Sequence, residues 1–147
     1  MFKLKYTIRR FHISDYDALI KLWNEAQLVY KPKGRDRRDM IKKQIQLPNT
    51  IALVAEKDGK LIGSVFGTHD GRRGWINRLA VMPEYQKKGI GRKLVKDLED
   101  RIYKLGIGII ASLVENRNKT SLRVFQRLGY KKHKDITYFS KRKGPWV

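Results

Sequence analysis

The sequence predicts an α+β (mixed α/β) domain: a central, mostly antiparallel sheet with one parallel strand pair, flanked by about four helices. Three observations carry this. Residues 50–82 alternate apolar and other side chains across two glycine-containing turns, the pattern of a three-stranded meander. Segments on either side repeat their apolar residues at helical spacing. Finally, Ile109–Val114 is a nearly continuous apolar run placed after a helix, so it should return parallel to the last meander strand and be buried on both faces. With 147 residues the chain fits a single domain, 1–147.

Taken in order, Thr7–Phe11 reads as a short first strand. Ser14, with Asp17 three residues on, forms a capping-box pattern, and Asp15 suits the positive end of a helix dipole. Leu19, Leu22, Trp23 and Ala26 then predict a first helix over Asp15–Leu28. Pro32 and Gly34 break it, leaving Tyr30–Arg35 as a loop that is either a plain connector or the wall of a substrate site. Met40, Ile41, Gln44 and Ile45 give a second helix over Arg37–Leu47, closed by Pro48. The meander follows: a strand from Thr50, the Asp58-Gly59 hairpin signal, Leu61–Thr68, the longer turn Asp70–Gly74, and Trp75–Met82. Ile90, Leu94, Leu98 and Ile102 lie four apart on one side of a third helix that Gly106 and Gly108 terminate. After the parallel strand, Asn118 can cap a fourth helix ending at Gly129, and Ile136–Ser140 reads as a last strand.

The stretch Val81–Val95 organises the rest. It reads as a strand end, a tight basic turn with Gly89 and Gly91, and the first turn of an amphipathic helix. A helix N-terminus leaves its first amides unpartnered and carries about half a positive charge. Glycines let a bulky ligand approach the backbone, and Lys87, Lys88, Arg92 and Lys93 surround the same point with cations. The stretch is therefore a cradle for a diphosphate, or else a tight turn with a solvated basic face.

Composition narrows the chemistry. Hydrophobic residues make up 41% of the chain, enough for a core. Cysteine is absent, which excludes disulfides, thiolate metal sites and a cysteine nucleophile in this chain. The start Met1–Tyr6 lacks the apolar stretch of a leader, and no run approaches the ~20 apolar residues of a membrane span, so a soluble cytoplasmic protein is the default. The 34 Lys and Arg against 14 Asp and Glu leave a net charge of +20, which favours anionic partners: a phosphorylated cofactor, nucleic acid or an acidic protein. These cations are scattered, without an arginine-rich tail or an RNA-binding aromatic signature, so nucleic acid is the less favoured of the three.

The order of elements around Gln86-Lys87-Lys88-Gly89-Ile90-Gly91 resembles the GCN5-related N-acetyltransferase (GNAT) superfamily over nearly the whole chain. Leu79-Ala80-Val81, Pro83 and Gln86–Gly91 are similar to its acetyl-CoA motif; Asn118, followed by Leu128-Gly129-Tyr130, is similar to its later motif. More loosely, the Tyr30–Arg35 loop and the Asp70–Trp75 turn resemble a bacterial and archaeal subgroup. The resemblance implies a fold whose parallel strand pair splays at the cofactor site, and acetyl-CoA as co-substrate with no metal. It places the phosphates on Gln86, Lys87, Lys88, Gly89, Ile90, Gly91 and Arg92, and pantetheine along Leu79, Ala80 and Val81. The Val81 amide becomes a donor to the thioester oxygen, Asn118 touches pantetheine or caps its helix, and Phe125 lines the thiol end. The reaction implied is direct attack by an amine of a protein or small molecule.

Two positions depart from the resemblance. Many members carry a Glu, acting as base through water, where Asn77 stands here, and a Tyr that protonates the leaving thiolate where Phe125 stands, seven residues after Asn118. The catalytic base is therefore unassigned, with His69, Asp70 and Glu115 as substitutes by position. These departures leave a non-catalytic acyl-CoA-binding or regulatory domain as an alternative, and the charge leaves a basic nucleic-acid or ribosome-associated protein as another. The sequence does not discriminate the acceptor among peptide, lysine, polyamine or aminoglycoside amines, and is compatible with a monomer or a homodimer.

Overall fold

A computed structural model of the chain describes residues 3–147, and its alternating region folds as the expected meander. In chain order the elements are β1 (Thr7–Arg10), a 3-10 turn (Ile13–Asp15), α1 (Tyr16–Glu25), α2 (Arg38–Ile45), β2 (Thr50–Lys57), β3 (Lys60–His69), β4 (Gly74–Val81), a second 3-10 turn (Pro83–Tyr85), α3 (Ile90–Tyr103), β5 (Ile110–Ser112) and α4 (Lys119–Arg127). The strands form one sheet in the order β1-β2-β3-β4-β5, antiparallel except for the parallel β4–β5 pair. Met1 and Phe2, the start of the segment read above for a leader, lie outside the described residues. No described helix is long and apolar enough to cross a membrane.

The two faces of β3 decide where the helices sit. Ser64 and Phe66 face α1: Trp23 packs edge-on to Phe66 with ring centroids 5.8 Å apart and donates its Nε1–H to Ser64 Oγ at 3.0 Å. The alternate residues Gly63, Val65 and Gly67 face α3. A Cβ on Gly63 would lie 2.9 Å from Leu94, one on Gly67 would lie 2.7 Å from Leu98, and one on Gly74 of β4 would lie 2.9 Å from Ile102. Leu94, Leu98 and Ile102 recur every fourth residue and are all buried. The glycines thus form a trough into which one stripe of α3 sinks, and this sets the start of α3 beside the end of β4.

The C-terminal third departs from the sequence expectation. Instead of a strand over Ile109–Val114 buried on both faces, only Ile110–Ser112 pairs, half-buried, while Ile109 and Leu113 are exposed. The reason lies in its neighbour. Ile136–Ser140 forms no strand, and Ile136, Tyr138 and Phe139 stay exposed, so β5 is a sheet edge rather than an interior strand. Lys131, Lys132 and Lys134 before that segment, and Lys141, Arg142 and Lys143 after it, outweigh Asp135 and leave it strongly positive, which disfavours pairing.

The start of α1 also differs. The Ser14–Asp17 box is replaced by one set two residues earlier: Asp15 Oδ2 accepts the His12 N–H at 2.9 Å, and Asp15 N–H donates to His12 O at 2.8 Å. A 3-10 turn begins at Ile13, so the third residue of the turn is Asp15. The same carboxylate takes two bonds from the Arg9 guanidinium, at 2.8 and 2.9 Å.

These contacts hold the Asp15 carboxyl below its ordinary pKa, the Arg9 hydrogen bond most and the His12 amide less, against an opposing effect of burial. A depressed carboxylate contributes stability that is complete above the unfolded pKa of about 4 and is lost as pH falls through the folded value. Asp15→Asn should therefore lower the urea midpoint at neutral pH and have little effect near pH ~2, where the wild type has already lost the contribution. An equal loss at both pH values would refute this coupling.

Candidate active site

The site forms where β4 leaves its parallel neighbour. The two strands pair at Gly74–Ile110, Trp75–Ala111 and Ile76–Ser112, and the Ser112 hydroxyl closes this ladder by donating to Ile76 O at 2.8 Å. From Asn77 to Val81, β4 continues without β5 beside it. On its other edge the register with β3 shifts between Ser64 and Phe66, so that Arg78 and Leu79 together oppose Val65, a β-bulge. Arg78 takes the left-handed backbone there, φ 57°, which is unfavourable for a residue with a Cβ.

Several contacts hold Arg78 in that conformation. Its carbonyl accepts the Ser64 hydroxyl at 2.8 Å. Its guanidinium bonds both Asp36 carboxylate oxygens at 2.8 Å and Val29 O at 2.7 Å, and lies 4.9 Å from the Trp23 ring centroid. Asp36 is buried, accepts the Lys31 N–H at 2.7 Å, and through its own carbonyl accepts the Tyr16 hydroxyl at 2.7 Å. Burial lowers the Arg78 pKa, and the charge of Asp36 opposes that. The loop between α1 and α2 is thereby tied to the bulge.

Strand alternation then fixes what faces the gap. Met82 N–H turns to β3, donating to Ile62 O at 2.9 Å, so the amide and carbonyl of Val81 turn the other way. The Val81 carbonyl is taken by Gln86 Nε2 at 3.0 Å, and the far end of Gln86 accepts the Thr120 hydroxyl at 3.4 Å, bridging the turn to α4. The Val81 amide is left facing the gap. Leu79, Ala80, Val81, Gln86, Gly91 and Asn118 line a narrow slot of about 30 Å³ there. It opens into a cleft of about 980 Å³ that also reaches Asn77, Phe125 and the α1–α2 loop. Asn118 caps α4, its Oδ1 accepting the Ser121 N–H at 3.1 Å. Phe125, on the cleft wall, packs edge-on against Tyr130 at 4.9 Å. The Tyr130 hydroxyl donates to the buried Glu99 at 2.6 Å and is pushed well above its ordinary pKa, by burial first and then by that bond.

The turn after β4 has open amides and open space together. Lys87 and Gly89 are left-handed, φ 62° and 86°, and Gly89 is the N-cap of α3. The Lys93 N–H donates to Gly89 O at 3.1 Å, so the amides of Ile90, Gly91 and Arg92 precede the helical ladder. A Cβ on Gly89 would meet nothing within 4 Å, whereas one on Gly91 would lie 3.2 Å from Val124 and 3.7 Å from Val81. Gly89 is favoured by its left-handed backbone and Gly91 by its close approach to Val124. The Ile90 side chain is in the core, leaving its amide for a ligand. Lys87, Lys88 and Arg92 are exposed around the turn, while Lys93 lies over the Tyr6 ring at 5.6 Å.

The three substitutes for a base fare differently. His69 sits opposite Gly74, and Asp70 accepts the amides of Arg72 and Arg73 at 2.9 and 2.7 Å, which hold its pKa low; both belong to the hairpin and neither lines the cleft. Glu115 lines it but is paired with Arg117 at 2.6 Å. Asn77 is exposed on the cleft wall. Arg35, at the end of the loop read above as a possible substrate wall, lines the cleft, and so do Asp36, Arg78 and Arg142, which the sequence reading did not single out. A charged residue inside an apolar strand was a signal for Arg78, and a lone acid within a basic run was one for Asp36. Among the described residues no group of His, Asp or Glu side chains is placed to hold a metal ion.

The model of the acetyltransferase (GNAT) family matches residues 16–130. Among solved structures, the PaiA N-acetyltransferase of Thermoplasma acidophilum in complex with coenzyme A is similar at 22% identity and TM-score 0.76, over 86% of this chain and 89% of that one. The glucosamine-6-phosphate N-acetyltransferase of Arabidopsis thaliana is similar at 22% identity and TM-score 0.75, over 96% and 100%. An aminoglycoside N-acetyltransferase, AAC(6')-Iy, with CoA is similar at 18% identity and TM-score 0.74, over 94% and 95%. At these identities the likenesses establish a common fold.

Asp36→Asn would strand the Arg78 guanidinium in a buried position without a counter-charge. The loss of stability should be about 3 kcal/mol in urea denaturation, and replacing both partners by apolar residues should cost less than the single change. A loss below ~1 kcal/mol for Asp36→Asn would mean that water reaches the pair and that it does not secure the loop.

Proposed function

Because the chain belongs to the GNAT acetyltransferase family, whose model spans residues 16–130, we propose that it is an N-acetyltransferase moving an acetyl group from acetyl-CoA to an amine by direct attack. The observation that carries this reading is the parting of β4 from β5 at Ile76 next to the uncovered N-terminus of α3 at Gly89. That pair of features supplies a slot for an extended arm and an anion cradle at its end. The residues fit the group: the cradle has room at Gly89 and backbone donors at Ile90, Gly91 and Arg92, with Lys87 and Lys88 beside them. Leu79, Ala80 and Val81 would hold the pantetheine arm by backbone and side chain, Asn118 and Phe125 its thiol end. Gln86, engaged with Val81 O, serves by fixing the turn.

Acetyl-CoA supplies the acetyl thioester when bound. Around it, the Val81 amide that faces the gap is a donor for an oxygen gaining negative charge. The amine nitrogen must be neutral to attack, and position 77 carries an amide, which cannot take up a proton, where many family members carry a carboxylate. On this reading Asn77, exposed on the cleft wall, would position a water, and the proton would leave to solvent. An α-amine of pKa ~8 is about one-tenth neutral at pH 7, so this route is open without a side-chain base. Phe125 cannot donate to the departing thiolate, which at a thiol pKa of ~8.5 leaves adequately near neutrality.

Calorimetric titration with acetyl-CoA should show binding that Gly89→Glu abolishes, since its carboxylate would enter the cradle against phosphate and strain a left-handed backbone. Retained affinity in the variant would place the phosphates elsewhere. Thiol release with a panel of amines then distinguishes an enzyme from a domain that only binds the thioester. Its rate at limiting acceptor should rise with pH and level off at the pKa of whichever amine is used. A plateau at one fixed pH for amines of different basicity would reveal a base on the protein.

A further inference from the structure

The segment after α4 reads as a strand in the sequence, and its failure to pair changes what its side chains can do. Residues 131–143 have no helix or strand and make no backbone hydrogen bond among the described residues. Tyr138 and Phe139 therefore stand open to solvent, 65% and 87% exposed, and Trp146 further along is 56% exposed. The cations between and around these rings are free as well. Lys131, Lys132, Lys134, Lys141 and Lys143 are exposed and enter no ion pair among the described residues, and Asp135 is the one acidic side chain among them. Arg142 is not counted with them, because an oxygen of the last residue, Val147, holds it at 2.6 Å.

The segment is laid across the surface as a strip. It starts at the end of α4, beside the exposed Arg127, and finishes on the α1–α2 loop, where Gly34 lies directly under the Trp146 carbonyl and the exposed Lys33 precedes it. Tyr138 also lines the cleft, so the strip runs along the cleft edge. Cations alternating with open aromatic faces on an irregular chain match a ligand that repeats a negative charge and a flat ring. A single-stranded nucleic acid has that repeat, one phosphate and one unpaired base per unit. A second copy of this chain would bring the same lysines against themselves. A membrane surface selects a helix that gathers its apolar residues on one side, and this segment has no helix.

We propose that residues 131–146 are a binding strip for single-stranded nucleic acid, in which the lysines take phosphates while Phe139 and Trp146 stack on bases. This is a second function, independent of the acetyl-transfer reading, on a surface other than the anion cradle at Gly89. The unbonded backbone of the strip has no internal structure to lose when it follows a ligand.

The test is fluorescence anisotropy of the full-length protein, with and without saturating acetyl-CoA, against three labelled dodecamers: a uridine RNA, a thymidine DNA and an RNA duplex. Both single strands should bind more tightly than the duplex, and the tighter of the two identifies the class of nucleic acid. Log affinity should fall against log salt with a slope of about −3.5, the value for five neutralised phosphates on a single strand. Phe139→Ala should weaken single-strand binding roughly tenfold without changing that slope. Phe139→Trp should retain the affinity, whereas Phe139→Leu, which keeps apolar bulk but has no ring, should behave like the alanine variant. Lys131→Gln with Lys132→Gln should reduce the slope by about 1.4. Calorimetric affinity for acetyl-CoA should be unchanged in every variant. Absence of single-strand binding overturns the proposal, and so does equal or tighter binding of the duplex. Displacement of the oligonucleotide by acetyl-CoA also overturns it, since the cradle would then be the anion site. Vesicles of phosphatidylserine and phosphatidylcholine supply the remaining case: vesicle binding lost in Phe139→Ala but kept in Phe139→Leu, with oligonucleotide affinity indifferent to both, would make the strip a membrane contact and overturn the assignment.

Discussion

Arg78 holds a left-handed backbone at the bulge of β4 and sends its guanidinium back under the loop that joins α1 to α2, where Asp36 receives it. One side chain thus determines both where the sheet opens and what stands across the opening. The arrangement is expensive in isolation, since it combines an unfavourable φ with two buried charges. It persists because each end is over-determined: Ser64 and Trp23 hold the strand side, and Lys31 and Tyr16 hold the loop side. The bulge reverses the alternation of β4 at the point where it matters, and the residues after it, up to Val81, follow from that reversal. A weakened pair would therefore disturb the proposed oxyanion donor and the α1–α2 loop across the opening together.

The other half of the cleft depends on a different constraint, the glycine trough on β3 and β4. Gly63, Gly67 and Gly74 have no side chains to hold α3 away, so Leu94, Leu98 and Ile102 sink to the sheet. Their depth fixes the start of the helix relative to Val81, and the left-handed Gly89 then exposes the unpartnered amides just beyond the end of the slot. Bulge and trough meet on β4 with the slot between them. Tyr130 closes this assembly from the far side, since its bond to Glu99 locks α4, with Asn118 and Phe125, against α3.

Most of this frame could be read from the chain because it is local. The meander is announced by alternation and by Asp58-Gly59, and the head of α3 by the residues that surround its first amides. The Arg78–Asp36 pair could not be read the same way, because its members are 42 positions apart and only the folded loop joins them. His69 and Asp70 were attractive by residue type, yet the direction of β3 carries them to the hairpin, away from the gap. The parallel strand pairs with β4 as expected, but its expected length and two-sided burial, and the whole of the last strand, failed for a shared reason. An apolar run predicts burial only if something covers it, and the basic residues flanking Ile136–Ser140 leave Ile110–Ser112 as an edge.

The net charge of +20 gains a more specific meaning from this pairing pattern. Screening limits a general field to about 8 Å at physiological salt, so the scattered lysines can raise the encounter rate of anionic molecules without choosing among them. Choice must come from cations close to the bound ligand and free of carboxylates. One group in the cleft answers that description on the proposed reading: the basic turn at the head of α3, where Lys87, Lys88 and Arg92 are exposed around unpartnered amides. The arginines elsewhere on the lining are paired, Arg78 with Asp36 and Arg117 with Glu115, so selective attraction falls to the phosphates of the donor, and the slot at Val81 leads away from that charge.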